Sequence, residues 1–405
     1  MENKRWIYAV TGTVILLFAG LVYAWSVIAS PLIAYFTEWN KAQISLTFTI
    51  CMSFFCLGGL IGGILSKKIS IRTNLWISGI LFLAGFFLAS KTNNLTMLYV
   101  GYGVLCGFAS GFVYNGIMSC VTRWYSDKPG LISGILLMGF GIGSFIIGKV
   151  YQAVTPAGVG MEVWRNSFFV FGVLLFIVLV VGGLVVKAPP VEFVPKSLAQ
   201  VETSKAINEE GIEAGPGLML RRPAFWLYFL WSICLSAAGL ALISQASGIV
   251  VEIDNGVLPG SVATIVGLIS IFNGVGRVIC GFLFDRIGRR NTMFIVDFTF
   301  LIAVCMLIAA LLAKSIVIVI IAFVIGGLAY GGITPMNSAF IGAFYGSKNY
   351  PVNYPIINMN LLLASFGGTI AGALYDASGS YLSTFFIMIG VVAVATISSV
   401  FIKRP

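Results

Sequence analysis

The stretch 261–290 reads SVATIVGLISIFNGVGRVICGFLFDRIGRR, and it decides the fold because it joins a membrane-length apolar run to a short basic loop. Residues 261–284 form a run that is long enough for a helix to cross a bilayer. Arg277 lies eight residues before Asp285, where the polar loop begins, which puts its guanidinium about 12 Å inside the hydrocarbon edge. A charge at that depth costs roughly 2.5–3.5 kcal/mol on insertion scales. It therefore requires a partner or a water-filled cavity.

Arg277 permits two interpretations. An arginine stays protonated at physiological pH, and its planar fork pairs with a carboxylate through two parallel hydrogen bonds. The first interpretation is therefore an anion-binding site at membrane depth, most simply for a carboxylate. The second is an internal salt bridge. Because no acidic residue lies elsewhere in 261–284, the sequence favours the binding site.

Composition places the whole chain in the lipid bilayer. Of its 405 residues, 59% are apolar and 9% are charged, whereas soluble domains are about 25% charged. The net charge of +10 is dispersed over short loops, which argues against a nucleic-acid partner. The chain has no His, and its cysteines lack metal-site spacing, so neither a metal nor a cofactor is expected. The apolar run at the N-terminus is too long for a signal peptide and is expected to be the first span.

Twelve apolar segments have the length of a membrane span, which predicts an all-α membrane protein with twelve transmembrane helices. The predicted spans are 6–34, 43–66, 74–91, 96–121, 131–154, 166–187, 223–250, 261–284, 292–313, 316–343, 355–376 and 381–402.

The basic residues orient these spans. With both termini in the cytoplasm, eighteen Lys and Arg residues lie inside and five outside, and the remaining one is Arg277. Such a bias is typical of multi-pass proteins, whose cytoplasmic loops are enriched in Lys and Arg. We expect a multi-pass protein of the plasma membrane with both termini cytoplasmic.

The one long connection, 188–222, is rich in Pro and charged residues, which is linker composition. It divides the chain into an N-terminal six-helix half (1–187), a cytoplasmic linker (188–222) and a C-terminal six-helix half (223–405).

Two loops at matching places in the halves share a pattern. GFLFDRIGRR (281–290) joins spans eight and nine, and GILSKKISIR (63–72) joins spans two and three. The pattern resembles the signature G-x-L-x-D-R-x-G-R-[RK] of the major facilitator superfamily. The second copy is complete, with Gly281, Asp285, Arg286, Gly288, Arg289 and Arg290. The first has Ser66-Lys67 where the second has Phe284-Asp285, so it lacks the Asp, and it has Ser70 for the later Gly; this puts the usual contact of that loop in doubt. The resemblance implies two pseudo-symmetric six-helix halves that alternate around a midplane site.

A narrower resemblance covers nearly the whole chain. GLVYAWS (20–26), RWYSDKPGL (123–131), FNGVGR (272–277) and LYDASGSY (374–381) are similar to the oxalate/formate antiporter family. The last two stretches are shared more loosely with animal monocarboxylate transporters, which carry an Asp where this chain has Asn273. The resemblance implies a carrier of carboxylates.

One departure from that family concerns the substrate. Its oxalate exchanger uses an Arg in span eight and a Lys in span eleven, which together suit a dianion. Here the Lys position falls at Asn360, and no Lys or Arg occurs between Lys348 and Lys403. Because a second buried carboxylate would lack a partner, this departure argues against oxalate and for a monocarboxylate.

Several polar and aromatic residues are candidates for the substrate site, each with helix packing as the alternative. Asn273 shares a helix face with Arg277 and can donate to the carboxylate or orient the guanidinium. In this superfamily the cavity is lined by spans one, four, seven, eight, ten and eleven. On those spans lie Tyr114, Asn115, Tyr330 and Asn360, which can read a 2-hydroxy or 2-oxo group, and Tyr23 and Trp25, which can form an apolar wall.

Proton coupling needs an acidic group or the substrate itself, because Arg277 does not release its proton. Asp254, after span seven, is the candidate. Asp297, inside span nine, is expected to be structural, with a basic partner at Arg289 or Arg290.

The sequence therefore predicts a secondary transporter of a small monocarboxylate such as lactate, pyruvate or formate, acting by alternating access as a monomer. Its coupling partner is a proton or a counter-anion. The alternatives are an oxalate/formate-type antiporter and a non-transporting membrane sensor. No set of catalytic groups is present to suggest an enzyme.

Overall fold

A computed structural model describes residues 5–39, 41–155, 160–190, 211–253 and 259–403. Within these ranges the chain is helical, with no strand. Ten helical elements in the described part are long and apolar enough to cross a bilayer, and a shorter apolar helix precedes them.

The first span is assembled from short pieces. Helix α1 (Arg5–Ala19) leads through a 3-10 segment (Gly20–Ala24) into α2 (Trp25–Ile28) and α3 (Ser30–Tyr35). Pro31 lies at the start of α3, where a helix has no use for the missing N–H. The following helices are α4 (Lys41–Leu65), α5 (Ile71–Ser90), α6 (Leu95–Leu98), a π-helical segment (Tyr99–Cys106), α7 (Gly107–Trp124), α8 (Pro129–Val154) and α9 (Met161–Val185).

The second part of the chain contains one element that holds two spans. The helices are α10 (Pro216–Met219), α11 (Pro223–Ile253), α12 (Pro259–Ala313), α13 (Ile316–Tyr345), α14 (Tyr350–Asn358), α15 (Asn360–Ala364), α16 (Phe366–Ser378) and α17 (Leu382–Phe401). Helix α12 is broken at Gly288, which has φ 80° and ψ 170°. Glycine adopts this conformation without the steric cost that a side chain would add.

The predicted fold class is confirmed. Spans eight and nine are the two stretches of α12 on either side of Gly288, span one is the series α1–α3, and span eleven is the series α14–α16. The predicted boundaries agree with the observed ones to a few residues. Span six, for example, was expected over 166–187 and is Met161–Val185.

The connection between the two parts is described from residue 211 onward, and residues 191–210 of the predicted linker lie outside the described ranges. Ile212 and Ala214 donate main-chain hydrogen bonds to the carbonyls of Phe344 and Tyr345 at 3.0 and 3.1 Å. The Glu213 carboxylate accepts from the next two free N–H groups, Ser347 at 3.1 Å and Lys348 at 3.3 Å. The end of the linker is therefore paired with the end of α13.

Glycines allow the helix backbones to approach closely, as the small-residue spacing in the sequence predicts. On α7, a methyl group added at Gly107 or Gly111 would overlap the carbonyl oxygens of Cys51 or Phe55 on α4. Such contacts are typical of membrane helices, which gain their packing from van der Waals contact rather than from the hydrophobic effect.

The chain forms two compact units. One comprises residues 1–127, 139–202 and 354–356, and the other comprises 128–138, 203–353 and 357–405. In the first unit α5 packs on α9 and α4 on α7, and in the second α12 packs on α13 and α11 on α17. The second unit includes the beginning of α8, which bears on the site described next.

Candidate functional site

Arg277 lies in the first stretch of α12 and is half-buried. Its Nε donates to the Asn273 side-chain oxygen at 3.3 Å, and a terminal nitrogen donates to the main-chain carbonyl of Leu137 on α8. Both acceptors are neutral. Among the described residues, no Asp or Glu oxygen lies within ion-pair distance of this guanidinium. Since an arginine has five N–H donors, the described contacts leave most of its fork available.

Two glycines fix the main chain of Arg277. A methyl group at Gly134 of α8 would overlap the Arg277 carbonyl, and one at Gly331 of α13 would overlap the Asn273 carbonyl. The α12 backbone is thus held between two neighbouring helices without intervening side chains. Because the main chain is fixed, the guanidinium can change its position only by rotation about the side-chain bonds.

Two predicted site residues are brought to Arg277. Asn273 lies one turn earlier and orients the guanidinium through its side-chain oxygen. Tyr330, on α13, lies within electrostatic range of the Arg277 charge, and its ring packs against Gly239 of α11. The second unit therefore collects a cation, an amide and a phenol in one region.

Asn360 is placed differently. It is fully buried (0% exposed), and its amide nitrogen donates to the hydroxyls of Ser232 and Ser236 on α11 at 2.6 and 3.1 Å. Ser232 in turn donates to Asn337 of α13 at 2.9 Å. These contacts give Asn360 a role in joining α15 to α11, which is the packing alternative that the sequence left open.

Tyr114 and Asn115 lie on α7 in the first unit and are buried. The Tyr114 hydroxyl hydrogen-bonds to the hydroxyl of Tyr354 at 2.7 Å. The Asn115 amide donates to the Gly59 carbonyl on α4 at 3.0 Å. Each polar group is thus engaged within that unit.

Trp25 is also buried, with its indole N–H donating to the Ile44 carbonyl at 3.1 Å and its ring against Tyr102. It packs α2 onto the rest of the first unit. The side chain of Tyr23 and the whole of Asp254 lie outside the described residues.

The signature loop anchors α12 to α8. The Asp285 carboxylate accepts hydrogen bonds from the main-chain N–H groups of Gly130 and Leu131 at 2.8 and 2.7 Å. These groups belong to the first turn of α8, where free N–H donors and the helix dipole favour a negative charge. Gly281 and Gly130 face each other with no room for a side chain on either.

The basic residues of the loop rest on aromatic rings. Arg286 and Arg290 lie over Phe282 and Phe294, 5.9 and 5.8 Å from the ring centroids. Arg289 is buried and donates to the Ile402 carbonyl at 3.2 Å.

The first copy of the signature differs in its contacts. Lys67 stands at the position of the missing Asp, and the adjacent Ser66 donates to the Gly63 carbonyl in its own turn at 2.6 Å. Because this hydrogen bond stays within one helical turn, it does not connect the loop to another helix. The first loop therefore lacks the carboxylate contact that Asp285 makes in the second.

Asp297 contradicts the expected pairing with Arg289 or Arg290. Its carboxylate accepts a hydrogen bond from the Trp231 indole N–H at 2.7 Å, and no basic nitrogen in the described part of the chain lies within ion-pair distance. The expectation failed because Arg289 reaches toward the end of α17 instead.

Sequence reasoning missed the contacts that hold Arg277. The Leu137 acceptor is a main-chain oxygen, so no residue type signals it. Gly331 belongs to the run of small residues Gly326, Gly327, Gly331 and Gly332 on α13, whose spacing is a detectable signal for close packing.

A sequence profile described as the Major Facilitator Superfamily matches residues 11–359 and 246–405. The chain belongs to this superfamily. It is 27% identical over 365 residues to an uncharacterized MFS-type transporter, YhjX, of Escherichia coli (strain K12), covering 90% of this chain and 86% of that one. It is 28% identical over 360 residues to the oxalate:formate antiporter of Oxalobacter formigenes, covering 86% of this chain and 80% of the antiporter.

More distant similarity extends to animal and structural relatives of this transporter. Monocarboxylate transporter 13 of Rattus norvegicus is 24% identical over 372 residues, covering 90% of this chain and 81% of the relative. A solved structure of the facilitator FucP in the outward conformation has a TM-score of 0.68 at 17% identity and covers 98% of this chain and 99% of its own. A likeness at that identity supports the fold and carries no information on substrate.

Proposed function

We propose that this transporter carries a small monocarboxylate of the lactate or pyruvate type across the plasma membrane, by alternating access and together with a proton. The observation that carries the proposal is Arg277, a guanidinium at membrane depth whose described partners are neutral. An intramembrane cation without a counter-charge marks a site for an anionic ligand.

Arg277 suits a carboxylate because the planar fork offers two parallel donors to two oxygens. Asn273 accepts from Nε and Leu137 accepts from one terminal nitrogen, which leaves three N–H groups of the terminal nitrogens for the ligand. Tyr330 is the candidate for binding a polar group on the second carbon of the acid, since its charge environment includes Arg277. The expected ligand is thus a short acid with one carboxylate and one small polar substituent.

The number of fixed cations limits the charge of the ligand. The helices α14–α17 carry no Lys or Arg, and Asn360 stands where the oxalate exchanger's family has a second cation. A dianion would bring a second buried negative charge without a partner, at a cost of several kcal/mol. Monoacids are therefore expected to bind more tightly than oxalate or malonate.

A second candidate function is carboxylate exchange, favoured by the similarity to an oxalate:formate antiporter over 360 residues. In that case the loaded carrier would return with a counter-anion instead of moving with a proton. A sensor that does not transport is the remaining alternative.

The two halves (1–187 and 223–405) are proposed to rock about the site, joined by the 188–222 linker, with both termini in the cytoplasm and the monomer as the working unit. Asp254 stays a candidate for the proton.

Uptake into proteoliposomes tests the proposal. Purified protein is reconstituted, and labelled lactate, pyruvate, formate and oxalate are offered with an acid-outside pH gradient, with a voltage alone, or with internal carboxylate. Accumulation of a monoacid driven by the pH gradient supports the proposal. Uptake that ignores pH and needs an internal carboxylate identifies an exchanger, and no uptake of any acid favours a sensor.

A further inference from the structure

Asp297 is a carboxylic acid in a site that does not suit a carboxylate. It lies in the second stretch of α12, seven residues past Arg290, and is 2% exposed. One oxygen accepts the Trp231 indole N–H at 2.7 Å. The other oxygen, Oδ2, accepts no hydrogen bond from the described residues.

The charged groups on Asp297's own helix point elsewhere. Arg289, two turns earlier, donates to the Ile402 carbonyl and to the Met293 sulfur and lies over Phe344. Arg290 lies over Phe294. Arg277 donates to Asn273 and Leu137. The nearest downstream titratable residue on α12, Cys305, is two turns further on.

Among the described residues, the helices packed against α12 add no charge near Asp297. Helix α17 has no titratable residue, and α13 has only tyrosines at 330 and 345. On α11, the Tyr228 ring lies against Trp231 with the ring centroids 5.2 Å apart and the planes tilted. Cys234 lies three residues after Trp231, and Glu252 lies 21 residues after it, about 31 Å along the helix. The Glu252 carboxylate accepts hydrogen bonds there from the Ser380 hydroxyl and the Tyr381 main-chain N–H.

An ionised carboxylate with one donor and no cation is strongly disfavoured in a dry interior, and such a group becomes neutral instead. The Thr396 hydroxyl of α17 donates to the Val392 carbonyl at 3.0 Å, so its one proton is not available to the second carboxylate oxygen.

Asp297 is physically connected with the surroundings of Arg277. A methyl group at Gly331 of α13 would come within 3.1 Å of the main-chain nitrogen of Arg277, and one at the adjacent Gly332 would come within 3.0 Å of the Val296 side chain. Trp231, the donor to Asp297, is followed by Ser232, which binds Asn360. Breaking the Trp231 hydrogen bond would therefore affect the turn of α11 whose Ser232 accepts a hydrogen bond from Asn360.

We propose that Asp297 is the proton-binding site of this transporter, occupied by a proton in the conformation described and emptied when the carrier releases its carboxylate. The inference rests on the proposed proton-coupled transport. The O–H bond of the acid breaks and its proton passes to water on the side where the carboxylate is released. The resulting Asp297 carboxylate keeps the Trp231 hydrogen bond until it takes a proton from water on the opposite side.

Two measurements separate proton binding from transport. Infrared difference spectra of the purified full-length protein, wild type minus Asp297→Asn at neutral pH, are expected to contain the carbonyl band of a protonated carboxylic acid. This band does not depend on the substrate. Its absence overturns the proposal even if carboxylate uptake is observed, and its presence supports proton binding even if the wild type transports nothing.

The second measurement is lactate flux in proteoliposomes. Asp297→Asn keeps the shape of the neutral acid, so exchange of external for internal lactate is expected to remain within about threefold of wild type, while accumulation driven by a pH gradient is lost. Asp376→Asn removes an acidic charge at the end of α16 and is the matched control, expected to accumulate normally. Lactate accumulation by Asp297→Asn that is still driven by a pH gradient overturns the coupling role.

Trp231→Phe provides a test if Asp297→Asn is poorly folded. It keeps an aromatic ring but removes the one donor to the ionised form, so the pH at which accumulation is half-maximal is expected to rise by about one unit. A purely structural acid would leave that midpoint unchanged, and an unchanged midpoint contradicts the proposal.

Discussion

Replacing Arg277 by lysine tests the site with the least change in charge. Lysine retains the positive charge but lacks Nε, so the hydrogen bond to Asn273 at 3.3 Å is lost together with the planar fork. A carboxylate ligand then loses one charge-assisted hydrogen bond, a loss of about 1.5–3 kcal/mol. That corresponds to an affinity that is roughly 10- to 150-fold weaker.

Thermal stabilisation by ligand measures this loss in detergent. At a lactate concentration of 100 times the wild-type Kd, the ligand stabilises the wild type by about 2.7 kcal/mol. A variant that binds 100-fold more weakly gains about 0.4 kcal/mol at the same concentration. The ligand-induced rise in Tm should therefore largely disappear in Arg277→Lys, while the Tm without ligand changes little.

Arg123→Lys is the matched control, because Arg123 is an exposed residue at the end of α7. It is expected to keep the full ligand-induced shift. Wild-type affinity in Arg277→Lys, or an equal loss in Arg123→Lys, would refute the assignment of the carboxylate to Arg277.

Three further outcomes are expected. Gly331→Ala forces a methyl group onto a main-chain carbonyl and should lower stability by about 1–3 kcal/mol, seen as a reduced Tm, whereas Gly390→Ala, which meets nothing within 4 Å, should not. Asn360→Lys should raise the affinity for oxalate relative to that for lactate. It should also lower the Tm, because the new ammonium group takes a fully buried position. A ratio of oxalate to lactate affinity equal to that of the wild type would contradict the one-cation argument. Tyr114→Phe removes the 2.7 Å hydrogen bond to Tyr354 and should lower the free energy of unfolding by about 1 kcal/mol. An unchanged Tm would contradict this expectation.

Span positions were predictable because hydrophobic length is a local property of the sequence. The break within α12 could also be anticipated, since the loop 285–290 combines charges with a glycine at 288, the residue that takes φ 80°. The division of the first span into α1, a 3-10 segment, α2 and α3 carries no comparable signal, because tertiary contacts rather than composition decide such irregularities.

The candidate site was predictable where the physical cost of a residue is large. Arg277 is conspicuous because a lone guanidinium in hydrocarbon is expensive, and Asn273 follows from helix periodicity. Asn360 has a neutral side chain, so the sequence does not distinguish a ligand from a packing contact. Asp297 was assigned the wrong partner because its donor, Trp231, comes from a helix 66 positions away in the chain.

The acceptor that Arg277 finds on α8 is the carbonyl of residue 137, not the leucine side chain attached to it. Any amino acid that continues the helix supplies the same oxygen. A saturation library at this position would therefore report the packing of the Leu137 side chain, which is 1% exposed, and not the strength of the hold on the guanidinium. Only an edit to the peptide bond itself, such as an ester introduced by semisynthesis, would expose how much that oxygen contributes.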